Sequence, residues 1–298
     1  MKIIIYGINY YPEEVGIGKY TTELAEWLAS KNNEVKVITA CPYYPNWVVK
    51  KNKYFKQKIN SVDIYRCPLW VPRTPSGIKR LIHLASFAFT SLPILFSLKN
   101  WKSDLIFIVV PSLFCAPATI FFKLFSRKTK IWIHIQDFEL DAAFELGLLK
   151  GDFLRKFALL FERFILSSFD KVSTISQSMH EFAINKKLKR EKVILFPNWV
   201  DTKIISNQSL ENKFENPYFK KLNLKKENLV IMYSGTMSEK QGLEIIPPIV
   251  EYFENNPKII WLFSGEGPFK KKLAEKINNN PNFKLLPLQP KECFNDWI

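Results

Sequence analysis

The sequence is poor in the residues that build metal and disulfide sites. Its 298 residues hold 4 cysteines and 3 histidines. Cys41, Cys67, Cys115 and Cys293 stand far apart with no C-x-x-C pair, which excludes a zinc site of ordinary spacing. They read as buried, reduced thiols of a cytoplasmic protein. No D-x-D occurs, which weighs against a nucleotide site built around a metal, and no G-K-[ST] occurs, which excludes a P-loop. Acid is also scarce: 28 Asp and Glu face 43 Lys and Arg, a formal charge of +15. That surplus favours anionic partners. The basic residues are scattered and match no DNA- or RNA-binding signature, so nucleic acid is set aside.

Other absences bound the architecture. There is no low-complexity tract and no repeat of solenoid period. The opening MKIIIYGINYYP reaches Asn9 and Pro12 too early for the apolar core of a signal peptide. Residues 81–98 (LIHLASFAFTSLPILFSL) approach transmembrane length, but His83, several Ser and Thr, and Pro93 dilute them. Two prolines break residues 105–125. A core helix followed by a buried strand is the expectation for this region.

What is present is alternation. Short β-branched runs (KIIIYG, EVKVITA, VDIYRC, DLIFIVV, KIWIHI, KVSTIS, KVILFPN) alternate with amphipathic stretches such as 19–30, 153–169 and 178–188. That pattern predicts a parallel sheet covered on both faces, a doubly wound α/β layer of Rossmann type. Residues 1–205 form this domain. Polar residues 206–227 read as a linker, and residues 228–298 restart the pattern as a second, incomplete α/β domain with a helix over 242–256. Pro247 and Pro248 fall in the first turns of that helix, where the second distorts it.

The loops at strand ends carry the candidate chemistry. In NYYPEEVGIGKYTTEL, Gly16 and Gly18 lie too far past the first strand for a dinucleotide fingerprint, and Thr21 stands where its third glycine belongs. They suit a longer loop over the carboxyl edge of the sheet, or an ordinary turn before a helix. In YSGTMSEKQGLEII, Gly235 ends a strand, Lys240 follows, and a helix starts near Gly242, an arrangement fit for phosphate. FSGEGPFKKKL supplies a second glycine-rich turn with Gly265 and Gly267. Two such loops at neighbouring strand ends suggest one diphosphate ligand. HIQDFELDAAFELG brings His134, Gln136 and Asp137 to a carboxyl edge, followed by Glu139, Asp141 and Glu145. This cluster serves proton transfer or simply answers a helix dipole. The helix at 151–169 is amphipathic with Arg155, Lys156 and Arg163 on its polar stripe, as in a membrane-surface helix or a core helix with a solvated edge.

Together NYYPEEVGIGKYTTELAEWL, HIQDFELDAAFELGLL, STISQSM, FPNWVD and YSGTMSEKQGLE resemble the retaining GT-B glycosyltransferases of family 4, and most of all the colanic-acid-type fucosyltransferases of exopolysaccharide biosynthesis. The resemblance runs in order over nearly the whole chain. It implies two Rossmann-like domains, a saccharide acceptor on the first and a nucleotide sugar on the second. By it the Gly16–Gly18 loop borders the acceptor, and Asp137 or His134 stands near the anomeric carbon. Lys240 holds donor phosphates with Gly235 and Gly242, and Gly265 and Gly267 line the nucleotide pocket. No metal or other cofactor is implied.

The family's late E-x7-E pair has no counterpart, since the spacing occurs only at Glu26 and Glu34, across the first helix. The chain therefore reads as a C-terminally truncated member. The expected activity is sugar transfer, with retention, from a nucleoside-diphosphate sugar to a lipid-linked saccharide. Its expected place is the cytoplasm, peripheral to an anionic inner membrane face. The alternatives are a non-catalytic binding partner in an assembly complex and a GT-B nucleotide-sugar epimerase.

Overall fold

The computed structural model describes residues 1–13, 16–74, 77–111, 113–138, 151–202, 217–238, 241–277, 280–289 and 293. The chain divides into two compact units, Met1–Trp199 and Val200–Ile298.

The first unit is built on β1 (Lys2–Gly7), β2 (Glu34–Ala40), β3 (Phe55–Ile59), β4 (Val62–Cys67), β5 (Leu105–Val110), β6 (Lys130–Ile135), β7 (Lys171–Thr174) and β8 (Val193–Leu195). They form one sheet in the order β3-β4-β2-β1-β5-β6-β7-β8, parallel throughout except for β3 against β4. β1 and β5 are apolar along their length because helices cover both faces of the sheet. On one face lies α1 (Ile17–Ser30), whose Leu24, Ala25 and Leu28 pack on Ile3, Ile5, Phe107 and Val109. On the other lie α2 (Gly77–Ser97), α3 (Ala116–Phe125), α4 (Asp152–Ser167) and α5 (Gln177–Asn185). Phe87, Phe122, Leu166 and Ala183 from these four helices share one buried cluster with Ile4, Tyr6, Ile106, Ile108, Ile133 and Val172 of the sheet.

Two features differ from the sequence reading. β3, with the sequence FKQKI, carries no apolar run, yet it pairs as a hairpin across Asn60 and Ser61. Both turn residues have positive φ (46° and 67°), the condition for a two-residue turn that matches strand twist. Its exposed Lys56 and Lys58 discourage further pairing at this edge. The second feature is α2. It forms through Pro93 as one continuous helix, but only 33% of its most apolar window is buried. It is a one-faced helix rather than the core helix expected. Gly77–Trp101 is, among the described residues, the one helix long and apolar enough to cross a membrane.

The second unit holds β9 (Leu229–Ser234), β10 (Ile259–Ser264) and β11 (Phe283–Leu286), parallel in the order β11-β10-β9. With them come α6 (Pro217–Lys221), α7 (Ile246–Tyr252) and α8 (Phe269–Lys276). α6 lies within the stretch read as linker. α7 is much shorter than the helix expected over 242–256. Gly242 takes a left-handed φ of 63°, Leu243–Ile245 make a single tight turn, and only then does α7 begin. Pro247 and Pro248 thereby fall in its first turn, where their missing N–H groups have no intrahelical partner to lose.

Candidate functional site

The carboxyl edge of the first sheet is organised by a chain of hydrogen bonds that starts in the core. Strand alternation points Trp132 and His134 of β6 to the face shared with Phe107 and Phe196. Ser173 Oγ lies 2.8 Å from both Trp132 Nε1 and His134 Nδ1. His134 Nε2 lies 3.1 Å from Gln136 Nε2, and Gln136 and Asn198 exchange reciprocal amide bonds of 3.1 Å. Because an amide nitrogen only donates, Nε2 of His134 accepts and Nδ1 carries the proton toward Ser173. Burial at 3% exposure pushes the imidazole pKa down to about 4, so the ring is neutral near pH 7. Phe107 stacks on it at 5.6 Å between ring centres.

With both nitrogens engaged, His134 orients the Gln136–Asn198 pair rather than facing a substrate. Gln136 and Asp137, half-buried just past the end of β6, are the polar groups that reach the edge. The cavity beside them, walled by Tyr20, Thr21, His134, Gln136, Phe196 and Trp199, measures about 10 Å³, room for a single water at most. Trp199 is pinned there by its Nε1 bond of 2.8 Å to Glu23 of α1 and by an edge-on contact with Tyr20.

A second clamp fixes the loop before α1. Glu13 is 3% exposed, and its carboxylate accepts from Tyr43 N and Tyr44 N (2.9 Å each) and from Asn9 Nδ2 (2.7 Å). Burial raises its pKa, while those donors and the nearby Arg66 charge favour the ionised form. Arg66, itself 1% exposed, donates to Ala40 O at 3.0 Å and to Tyr11 O. The two loops that follow β1 and β2 are thus tied to one buried acid and one buried base. The returning loop explains Gly18: a Cβ there would stand 2.3 Å from Glu13 O. Gly16, the N-cap of α1, has φ 57° and open space around it. So α1, its two glycines and the His134–Gln136 edge lie on one face of one sheet.

In the second unit the structure brings the two glycine-bearing loops together. Gly235 N donates to Ser264 O (3.0 Å), Met237 N to Glu266 O (2.9 Å), and Phe269 N to Met237 O (3.0 Å). A Cβ on Gly265 would stand 1.9 Å from Gly235 O, and one on Gly267 would stand 2.2 Å from Met237 O. These glycines let one backbone lie directly on the other, and the paired loops crown the carboxyl ends of β9 and β10. Gly235 itself has only ordinary contacts around its Cβ position. Lys240 lies outside the described residues, as do Glu139, Asp141 and Glu145. Among the described residues no three His, Cys, Asp or Glu side chains are grouped to hold a metal ion.

Sequence reasoning missed Asn9, Glu13, Arg66, Ser173 and Asn198 as organisers. Asn9 and Glu13 lie in the loop after β1, Arg66 and Ser173 lie inside β4 and β7, and apart from the local Asn9–Glu13 bond their partners lie 26 or more residues away.

Two Rossmann-like units of this kind define the GT-B architecture, and comparison with known proteins assigns the family. Residues 15–199 match the glycosyl transferase 4-like domain, and the chain belongs to that family. It is 43% identical over 298 residues to a putative colanic acid biosynthesis glycosyl transferase of Escherichia coli K12, covering 97% of this chain and 72% of that protein. Solved structures share the fold at low identity. The catalytic domain of starch synthase IV from Arabidopsis thaliana, bound to ADP and acarbose, matches with a TM-score of 0.66 at 14% identity over 99% of this chain and 75% of that one. An Anabaena protein, HepE, in complex with UDP-glucose matches with a TM-score of 0.60 at 13% identity, over 97% and 70% of the two chains.

Proposed function

We propose that this chain transfers a sugar, with retention, from a nucleoside-diphosphate sugar to a lipid-linked saccharide during assembly of a surface polysaccharide. The observation that carries the reading is the 43% identity to the colanic acid relative over nearly the whole chain. The nucleotides bound in structures of the same fold support the donor class. The abutting loops after β9 and β10, with Lys240 between Gly235 and Gly242, hold the donor diphosphate, and Gly265 and Gly267 border the nucleotide. Fixed amides and one cation stabilise the departing diphosphate by preorganised electrostatics, with no metal or other cofactor. In the first unit the Gly16–Gly18 loop borders the acceptor. Asp137 acts at the anomeric centre, and His134 serves it indirectly by fixing Gln136. The protein works in the cytoplasm at the inner membrane face.

The test is transfer from UDP- and GDP-sugars to lipid-diphosphate saccharides, followed by mass spectrometry in the presence of EDTA, with the product anomer read by NMR. Turnover is expected to survive chelation and to disappear in Asp137→Asn at unchanged melting temperature. Lys240→Ala should weaken UDP or GDP binding. Acceptor binding without transfer from any donor would overturn the reading and leave a binding partner.

A further inference from the structure

The short segment after β6 is anchored on both faces of the sheet, and Asp137 stands between the anchors. Gln136 is bonded to Asn198 on the face that α1 covers, beside Tyr20 and Thr21. Phe138 turns to the opposite face. It is 8% exposed and joins Ile133, Ile135, Leu166 and Ala183 in the cluster between the sheet and the other helices. Asp137 itself is half-buried.

Phe138 does more there than fill space. Its ring stands edge-on to Phe182 of α5, with 4.9 Å between centres and 75° between planes. Lys186, one helical turn after Phe182 at the end of α5, shares its side of the helix. Its Nζ comes to 5.4 Å from the Phe138 ring centre and 5.0 Å from that of Phe182. That ammonium is paired with Glu162 of α4, and the two side chains are nearly dry, 11% and 4% exposed.

The energetics of such a pair are informative. Two charges taken out of water lose hydration that their attraction only partly restores, so apolar residues of similar volume would join α4 to α5 as well or better. Stability is therefore a weak reason for the pair. Glu162 is also the one carboxylate among the described side chains of α2, α3 and α4. What it achieves, and a leucine would not, is to fix a cation against the rings of Phe138 and Phe182. Apolar burial has no direction, whereas a desolvated cation over a ring does. Asp137 is one planar peptide away from the ring so fixed, with two soft dihedrals per residue between them.

We propose that the Glu162–Lys186 pair, acting through Phe138, positions the Asp137 carboxylate. Glu162 and Lys186 are positioning residues and touch no substrate. The inference rests on the proposed role of Asp137 at the anomeric centre and adds what holds that carboxylate in place.

The experiment measures kcat and KM for transfer from UDP- and GDP-sugars to lipid-diphosphate saccharides, beside melting temperatures. Glu162→Leu with Lys186→Met replaces the pair by apolar groups of similar volume, so the melting temperature should hold. A displacement of about 1 Å at a reacting group costs on the order of a hundredfold, so loosening an anchor one residue away should lower kcat about tenfold, at unchanged donor KM. Lys186→Arg keeps a cation at the rings and should stay within about twofold of the parent. Phe138→Leu should repeat the fall in kcat, and joining it to the paired substitution should add little, since both break one contact. Phe122→Leu thins the same cluster at α3 and should lower the melting temperature while kcat holds.

Unchanged kcat in the paired variant and in Phe138→Leu, with Asp137→Asn inactive, would overturn this inference and leave the proposed function standing. So would Lys186→Arg losing as much as the paired variant, or a kcat that follows the melting temperature across all variants, Phe122→Leu included. Normal turnover by Asp137→Asn, or none by the parent protein, would bring down the proposed function and this anchor with it.

Discussion

The two units present their strand ends by opposite means. In the first, loops separated along the chain are held by side chains: Glu13 gathers three donors, Arg66 bonds two carbonyls, and His134 fixes the Gln136–Asn198 pair. In the second, backbone bonds to backbone and the side chains are absent by necessity at Gly265 and Gly267. A side-chain clamp can be loosened by degrees and responds to pH. A glycine contact tolerates no added atom and has no charge to titrate.

The largest expected effect tests the glycine half. Gly267→Ala puts a methyl 2.2 Å from Met237 O, with backbone at both ends of the clash and φ 149° besides. About 4 kcal/mol of stability should be lost from the second unit, with nucleotide binding lost alongside. Gly16→Ala meets open space and should cost only about 2 kcal/mol, through its backbone conformation (φ 57°, ψ −132°) alone. Urea unfolding of both variants, read with nucleotide titration, checks the contrast. Similar losses would show that the loops after β9 and β10 give way as easily as the Gly16 turn.

The next effect tests the polar half. Glu13→Ala strands the buried Tyr43 N and the part-buried Tyr44 N, leaves Asn9 Nδ2 with only its 3.3 Å bond to Tyr43 Oη, and takes from Arg66 its nearby acid, a loss of about 3 to 5 kcal/mol. Glu13→Gln keeps one acceptor for the two backbone donors and should cost about 1 to 2 kcal/mol. Chemical denaturation distinguishes them, and equal losses would mean that the carboxylate's charge carries the whole effect and its shape none.

The smallest effect is a slope. Burial holds folded His134 at a pKa of about 4 against an ordinary value of 6.5, so the unfolded chain takes up the proton first. Its stabilising contribution is full above pH 6.5 and falls as pH drops toward 4, by at most about 1.4 kcal/mol per unit. His83, also lowered by burial, acts in the same direction. His134→Gln should flatten the fall in stability between pH 6.5 and 4 without removing it. Superimposable pH profiles would place the imidazole in solvent.

Much of the fold was legible because parallel strands advertise themselves. KIIIYG, DLIFIVV and KIWIHI are apolar runs too short for helices and are separated by helix-length amphipathic segments. FKQKI was illegible because an edge strand needs no apolar run, only a turn such as Asn60–Ser61 and a neighbour. At the site, the glycines were visible as glycines, but the reason for them was not. Gly18 answers to Glu13 O, and Gly265 to Gly235 O, contacts that exist only after the loops fold back. His134 looked like an edge residue because it stands one position before the end of β6, but Phe107, Phe196 and Ser173, which only the folded sheet sets against it, bury it and leave Gln136 as the more exposed group.

The sequence by itself determined the alternation of strands and helices, the surplus of positive charge and the family, because each is written in local order and composition. Tertiary structure decided which face of α4 is dry, which acid is buried and which glycine is indispensable. Those outcomes depend on what stands opposite each residue, and a residue's opposite number is chosen by the folded chain as a whole.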